Sequence, residues 1–210
     1  MASSKIVFLN GASSSGKTAI AHALQRAMEE FYVHTGIDHF LERVPLRFHA
    51  VSDGAEPATP YGVLWVMPAG QPPVTELRLG PAGIRLVSGM YGAVAGLASA
   101  GNNVIVDDVI FDPAVLREAL RALEGFNVLF VGVRCPLDLV RERELARSDR
   151  MRGLAEAQHE IVHAHGVYDL EVDTSVSTAM DCAMLIKQRL GGGTSPTAFE
   201  VLRRSLGDQR

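Results

Sequence analysis

Short, nearly unbroken apolar runs alternate along this chain with longer stretches in which apolar residues return every three or four positions. The runs Ile6 to Leu9, Val104 to Asp107 and Val128 to Val133 lack the in-out alternation of a half-exposed strand, so they read as strands covered on both faces. The periodic stretches predict helices over Lys17 to Phe31, Val87 to Ala100, Pro113 to Leu123, Leu137 to Arg147 and Thr178 to Leu190. Pro113 directly after Asp112 is a cap followed by proline at the first helical position. Such alternation predicts an α/β fold in three layers, a mostly parallel sheet with helices on both faces.

Two segments break the pattern. Between Pro45 and Gly83, Pro57, Pro60, Pro68, Pro72, Pro73 and Pro81 occur with several glycines, and helical periodicity disappears. Long loops in a compact domain are usually functional or disordered. This one keeps Phe48, Tyr61, Leu64, Trp65, Val66 and Met67, which are costly to leave in water, and is expected to be an ordered flap over a pocket. After Leu190, Gly191 to Gly193 form a hinge before Pro196 and a short helix over Ala198 to Leu206. The expected organisation is one domain over residues 1–190, with 45–83 as a substrate flap, and a C-terminal tail over 191–210.

Composition narrows the class further. At 210 residues and a net charge of −4, with no dense Lys/Arg block, the chain carries no electrostatic footprint for nucleic acid or an anionic membrane. Cys135 and Cys182 lie far apart in apolar stretches, which suits buried free thiols in a reducing compartment. The N-terminal apolar run is too short for a secretory signal, and no stretch approaches the roughly 18 apolar residues of a membrane span. A cytoplasmic location is expected.

The chemistry begins at Gly11-Ala12-Ser13-Ser14-Ser15-Gly16-Lys17-Thr18, which fits G-x-x-x-x-G-K-[ST] between a strand and a helix. Glycines at both ends let the backbone curl until its N–H groups face phosphate oxygens at the positive end of the next helix. Lys17 then reaches the β- and γ-phosphates and the Thr18 hydroxyl ligates Mg²⁺, so ATP and Mg²⁺ are the expected cofactors. Asp107 and Asp108 end the second strand at the edge where such sheets gather ligands, and either could serve the metal. Asp38, in Gly36-Ile37-Asp38-His39-Phe40-Leu41, stands on the same edge as a candidate base for a substrate hydroxyl, or simply as an N-cap. Arg143, Arg147 and Arg150 share a helix face that either closes over phosphates or is solvated and paired with Glu142, Glu144 and Asp149. His163 and His165 lack a third ligand nearby and read as structural. The small residues of Gly89 to Gly96 suit packing against the sheet or against a second copy of the chain.

Taken in order, Leu9-Asn10-Gly11 through Thr18, Gly36-Ile37-Asp38 with Pro45-Leu46 behind it, Val104 to Val109, Val131 to Cys135 and Tyr168 to Thr174 resemble the chloramphenicol phosphotransferase family over most of residues 5–190. The resemblance implies a P-loop nucleotide-kinase-like fold and ATP-dependent phosphorylation of a hydroxyl on a small amphipathic acceptor such as chloramphenicol. It implies that Asp38 is the general base, that Arg143 and Arg147 belong to an arginine lid, and that Asp173 and Thr174 lie beside the adenine. The 45–83 segment is longer and richer in proline than its family counterpart, and the residues beyond Leu190 are additional. Two other readings use the same nucleotide parts: a kinase of another hydroxylated metabolite, of the shikimate or adenylylsulfate kinase kind, and a nucleotide-binding regulatory protein with little transfer activity.

Overall fold

A computed structural model describes residues 4–54, 61–68, 70–148, 151–192 and 197–207. Its elements, in chain order, are β1 (Lys5–Asn10), α1 (Lys17–Ala27), β2 (Tyr32–Gly36), α2 (Ile37–Leu41), β3 (His49–Ser52), β4 (Val63–Val66), β5 (Glu76–Leu79), α3 (Pro81–Ser99), β6 (Asn103–Asp108), α4 (Pro113–Ala122), β7 (Asn127–Arg134), α5 (Leu137–Leu145), α6 (Leu154–His159), β8 (Leu170–Asp173), α7 (Ala179–Gly191) and α8 (Ala198–Gly207). The central sheet has five strands in the order β2-β6-β1-β7-β8, all parallel.

The continuous apolar runs have a simple cause here. Ile6 and Phe8 of β1, with Val104, Val106, Val128 and Phe130, face the layer of α3, α4 and α8, while Val7 and Leu9, with Ile105, Leu129 and Val131, face α1 and α7. Each strand therefore needs an apolar residue at every position, and each fully buried Val, Leu or Ile contributes about 1.5–3 kcal/mol. This is the expected three-layer α/β arrangement. Cys135 and Cys182 are buried free thiols.

The structure departs from the expected element ends at identifiable points. Helix α1 stops at Ala27 rather than Phe31, because Met28 turns to an extended conformation and the chain must start β2 at Tyr32. Helix α3 starts at Pro81, a turn and a half before Val87, with proline in its first turn. Helix α5 ends at Leu145, leaving Arg147 just past it. Gly89, Gly92 and Gly96 of α3 meet open space rather than the sheet.

Within 45–83 the described residues form a second, three-stranded sheet, β3-β4-β5, with β3 parallel and β5 antiparallel to β4. Its Leu64, Val66 and Met67 are buried, whereas Tyr61 is exposed. Pro57 and Pro60 lie outside the described residues, as do Asp149, Arg150, Gly193 and Pro196. The tail is part of the core: Ala198, Phe199 and Leu202 of α8 pack with Phe8 and Phe130. Arg203 donates to the carbonyls of Leu120 and Leu123 at the end of α4, and Asp169 caps the Thr197 and Ala198 N–H groups. Among the described residues no helix is long and apolar enough to cross a membrane.

Candidate active site

The carboxyl ends of the parallel strands converge because the register brings Asn10 opposite Asp108 and Asp107 opposite Gly36. Between β1 and α1 the loop Gly11 to Gly16 turns back on itself, with Ser14 at φ 61° and Gly16 at φ 98°. A left-handed non-glycine residue costs on the order of 1 kcal/mol, and such strain concentrates at functional sites. The loop is oddly unsatisfied: the hydroxyl oxygens of Ser13, Ser14 and Ser15 are buried without a hydrogen-bond partner. Buried polar atoms are normally paired, so this cradle fits a polyanion supplied from outside the chain.

Lys17 and Thr18 sit at the foot of the cradle. The buried Lys17 ammonium donates to the Ala12 carbonyl at 3.0 Å and stands 3.8 Å from Asp107 Oδ1, while the Thr18 hydroxyl donates to Asp107 Oδ2 at 2.5 Å. Burial alone would raise the Asp107 carboxyl, but the Lys17 charge, His34 and the Thr18 hydroxyl outweigh it and hold it below the usual carboxylate range. Asp107 is thus an anion beside the hydroxyl. Among the described residues no cluster of three or more His, Cys, Asp or Glu side chains could hold a metal. One hydroxyl and one carboxylate suit an ion that keeps waters and phosphate ligands, as Mg²⁺ does.

The two neighbouring aspartates, left open above as metal candidates, have different surroundings. Asp107 lines the cavity described below. Asp108 is fully buried on the other side of the strand, where it accepts from the Tyr91 hydroxyl and from the Val109 N–H at 2.6 Å, and burial raises its carboxyl to about 6. Successive strand residues point to opposite faces, so only one of the pair reaches the cradle. Asp108 is a structural group.

A single cavity of about 970 Å³ spans the site. Its lining includes Thr174 to Ala179, the cradle residues Ser13, Lys17, Thr18 and Asp107, and the largely apolar group Leu41, His49, Trp65, Leu77, Phe111 and Met151. Asp38, at the first turn of α2, and Arg147 line it as well. Asp38 is held near Asp107 by the close approach of β2 to β6 at Gly36, where a Cβ would lie 2.1 Å from the Asp107 carbonyl oxygen.

Arg143 also lines the cavity, but its guanidinium is engaged: it donates to the Thr174 hydroxyl and carbonyl, each at 2.9 Å, and to Cys135 Sγ at 3.4 Å. The Thr174 hydroxyl in turn donates to the Ser15 carbonyl at 2.8 Å. Arg143 thereby ties the 174–179 loop to the phosphate loop. Asp173 turns that loop through bonds to the Ser175 N–H and hydroxyl and is not on the cavity wall. Among the described residues Glu144 pairs with no arginine; it is buried and accepts from the Gly153 and Ala155 N–H groups at 2.6 and 2.7 Å. Arg150 lies outside the described residues.

Several participants carry no sequence signature. Buried Gln158 of α6 accepts the Ser13 N–H at 2.8 Å. Trp65 donates to His49 Nδ1 at 3.3 Å, with the rings 9° from parallel. The flap also joins the arginine segment: the Val74 N–H donates to the Arg152 carbonyl at 2.8 Å, and Met67 and Val74 pack on Leu154. His163 and His165 are structural, as expected. Asn10 donates to the Tyr168 hydroxyl and to His165, and Tyr168 bonds His163 Nδ1 at 2.6 Å. Burial and the nearby Arg134 charge lower both imidazoles to about 4, so they stay neutral.

Comparisons with known proteins agree with this geometry. A family model described as "Chloramphenicol phosphotransferase-like protein" matches residues 4–191. A Mycobacterium tuberculosis H37Rv protein, provisionally named an O-phosphotransferase, is 32% identical over 216 residues, covering 97% of this chain and 90% of the relative. Among solved structures, the M. tuberculosis APS kinase CysC in complex with AMPPNP and APS superposes with a TM-score of 0.61 at 14% identity, covering 91% of this chain and 99% of that one. A Sinorhizobium meliloti gluconokinase gives a TM-score of 0.53 at 16% identity, with 99% and 97% covered. At such identities the likeness is one of fold.

Proposed function

The chain belongs to the chloramphenicol phosphotransferase-like family and is a phosphotransferase of the P-loop kinase type, a premise from which we propose that it moves the γ-phosphoryl group of ATP to a hydroxyl of a small amphipathic acceptor, chloramphenicol or a compound like it. The observation that carries this reading is the continuity of the cavity, in which a polar phosphate cradle opens directly onto an apolar wall of Trp65, Leu77, Phe111 and Leu41 with Asp38 alongside.

In the proposed reaction the acceptor oxygen attacks the γ-phosphorus. The new O–P bond forms as the bond to the β–γ bridging oxygen breaks, ADP leaves with that electron pair, and the hydroxyl proton passes to the Asp38 carboxylate. Lys17 and Arg147 offset charge on the phosphates, Arg143 keeps the 174–179 loop against the cradle, and Thr174 to Ala179 border the nucleoside. Thr18 and Asp107 are the residues that would hold Mg²⁺, which when bound neutralises charge on the β- and γ-oxygens. The 45–83 segment supplies the acceptor wall as a flap on the kinase domain. Buried free thiols at Cys135 and Cys182 suit a cytoplasmic protein.

The test is ATP consumption with Mg²⁺ across a panel of hydroxylated acceptors that includes chloramphenicol, read by mass spectrometry for an added phosphoryl group. Asp38→Asn should keep ATP affinity and lose turnover by at least about 100-fold. A fully active Asp38→Asn refutes the base, and nucleotide binding with no acceptor phosphorylated in the panel refutes the transfer reading.

A further inference from the structure

Gln158 has an amide whose orientation is set by chemistry. It is 4% exposed, and the group it faces on the phosphate loop is the Ser13 N–H, a donor that only the carboxamide oxygen can meet, at 2.8 Å. The NH₂ end must therefore point the other way, and no hydrogen bond joins it to another described residue. Unlike the Ser13 to Ser15 hydroxyls, that nitrogen is not sealed from solvent, and Gln158 lines the cavity. The unused donor belongs to the site.

Its location says which part of the site. Residues Gly16 to Thr18 open α1 and present the helix N-terminus, whereas Ser13 lies at the far side of the loop, bonded to α6. One turn before Gln158 on that helix, Leu154 packs on Met67 and Val74 of the flap, with Trp65 and Leu77 against the same cluster. Gln158 thus stands where the phosphate cradle meets the acceptor wall, the place crossed by the terminal phosphoryl group. Its helix is held rigidly: Glu144 takes the Gly153 and Ala155 N–H groups at its start, Ala155 packs on Val140, and the Val162 N–H bonds the Gln158 carbonyl at 2.9 Å.

Resting on the kinase reading above, we propose that Gln158 is a catalytic residue whose carboxamide nitrogen donates to an oxygen of the transferred γ-phosphoryl group while its oxygen fixes the phosphate loop through Ser13. A neutral, preorganised donor stabilises charge spreading over the phosphoryl oxygens without competing with Asp38 for the hydroxyl proton. It also distinguishes ATP from ADP, since ADP has no group at that position.

Calorimetric titration of the full chain with ADP and with AMPPNP, both with Mg²⁺, tests this without knowing the acceptor. Gln158→Glu keeps an oxygen for the Ser13 N–H and puts an anionic oxygen where the NH₂ was. AMPPNP affinity should fall at least tenfold while ADP affinity changes less than threefold. Gln158→Ala, which removes both contacts without adding charge, should lower the AMPPNP-to-ADP affinity ratio toward one, so the idea does not depend on a single variant folding. Equal weakening of both nucleotides in both variants, or no change in the ratio, overturns the proposal and leaves the kinase reading standing. A wild-type protein that binds neither nucleotide overturns both.

Discussion

Gly36→Ala is the sharpest test of how the fold sets the catalytic geometry. Gly36 has φ −171°, extended backbone open to any residue, so the cost of a side chain is purely one of contact. A Cβ there would lie 2.1 Å from the Asp107 carbonyl oxygen, 3.0 Å from its carbon and 3.2 Å from its Cβ. All three atoms belong to β6, which cannot retreat because β1 pairs with its other edge. β2 is the edge strand and must move instead, by about 1 Å to reach ordinary van der Waals separation. Overpacking of this kind costs about 1–3 kcal/mol, and loosening one or two ladder bonds adds about 1 kcal/mol each, for a total near 2–5 kcal/mol. For a chain of this size that lowers Tm by roughly 5–15 °C. Asp38 is two residues further on, and a displacement near 1 Å at a reacting group costs on the order of 100-fold in turnover. Nucleotide affinity should change little, because the phosphate loop is carried by β1 and α1. Thermal and urea unfolding, with nucleotide titration and turnover on an accepted substrate, read all three effects. A Gly36→Ala protein within about 0.5 kcal/mol of wild type and with full turnover would refute the claim that the β2–β6 register positions Asp38.

Lys17→Ala should weaken ATP binding and turnover together, since the ammonium is the buried charge beside both Ala12 and Asp107; calorimetry and kinetics check it. Gly92→Ala in the exposed face of α3 should stabilise the chain by about 0.5–1 kcal/mol in urea unfolding, because an added Cβ meets open space; a loss of stability would point to a surface covered in solution. Gly153→Ala should destabilise by about 2 kcal/mol or more, because its φ is +90° and a Cβ would lie 2.5 Å from the Val74 carbonyl oxygen, prising the flap from the arginine segment. Stability should also fall on acidification from about pH 6 to pH 4.5. His163 and His165 have folded values near 4, so the unfolded chain takes up two protons first as pH drops below 6.5, whereas Asp108, near 6, holds one proton that the unfolded chain lacks. The net of one proton gives a slope of about 1.4 kcal/mol per pH unit, and His163→Gln with His165→Gln should reverse its sign in urea titrations across that window.

Much of the fold was legible in the pattern of apolar positions. Strands buried on both faces must be apolar at every residue, so β1, β6 and β7 stand out, and amphipathic helices declare themselves by period. The half-buried edge strands β2 and β8 and the small sheet of 45–83 were not legible in the same way: Tyr32–Gly36 mixes polar residues among apolar ones, and β3 to β5 are four residues each amid prolines. The C-terminal segment looked detachable because glycines precede it, yet Phe199 completes the aromatic cluster under Phe8 and Phe130.

For the site, the division follows the range of the interactions. The phosphate cradle is a local device, one loop whose glycines, lysine and threonine act within eight consecutive residues, and so its chemistry was written in the sequence alone. Strand ends placed Asp107 and Asp108 on the right edge for the same local reason. Which of them turns to the cradle depends on β6 having one face toward α1 and the other toward Tyr91, a fact of layer packing. Spacing left Arg143 open between a phosphate ligand and a solvated face, and only the approach of the 174–179 loop shows where its guanidinium is spent. Gln158 has no spacing signature at all, because its partner Ser13 is 145 residues away. Local backbone chemistry repeats as motif, whereas side chains that meet across the molecule are brought together by the folded sheet and helices, and only that assembly decides their roles.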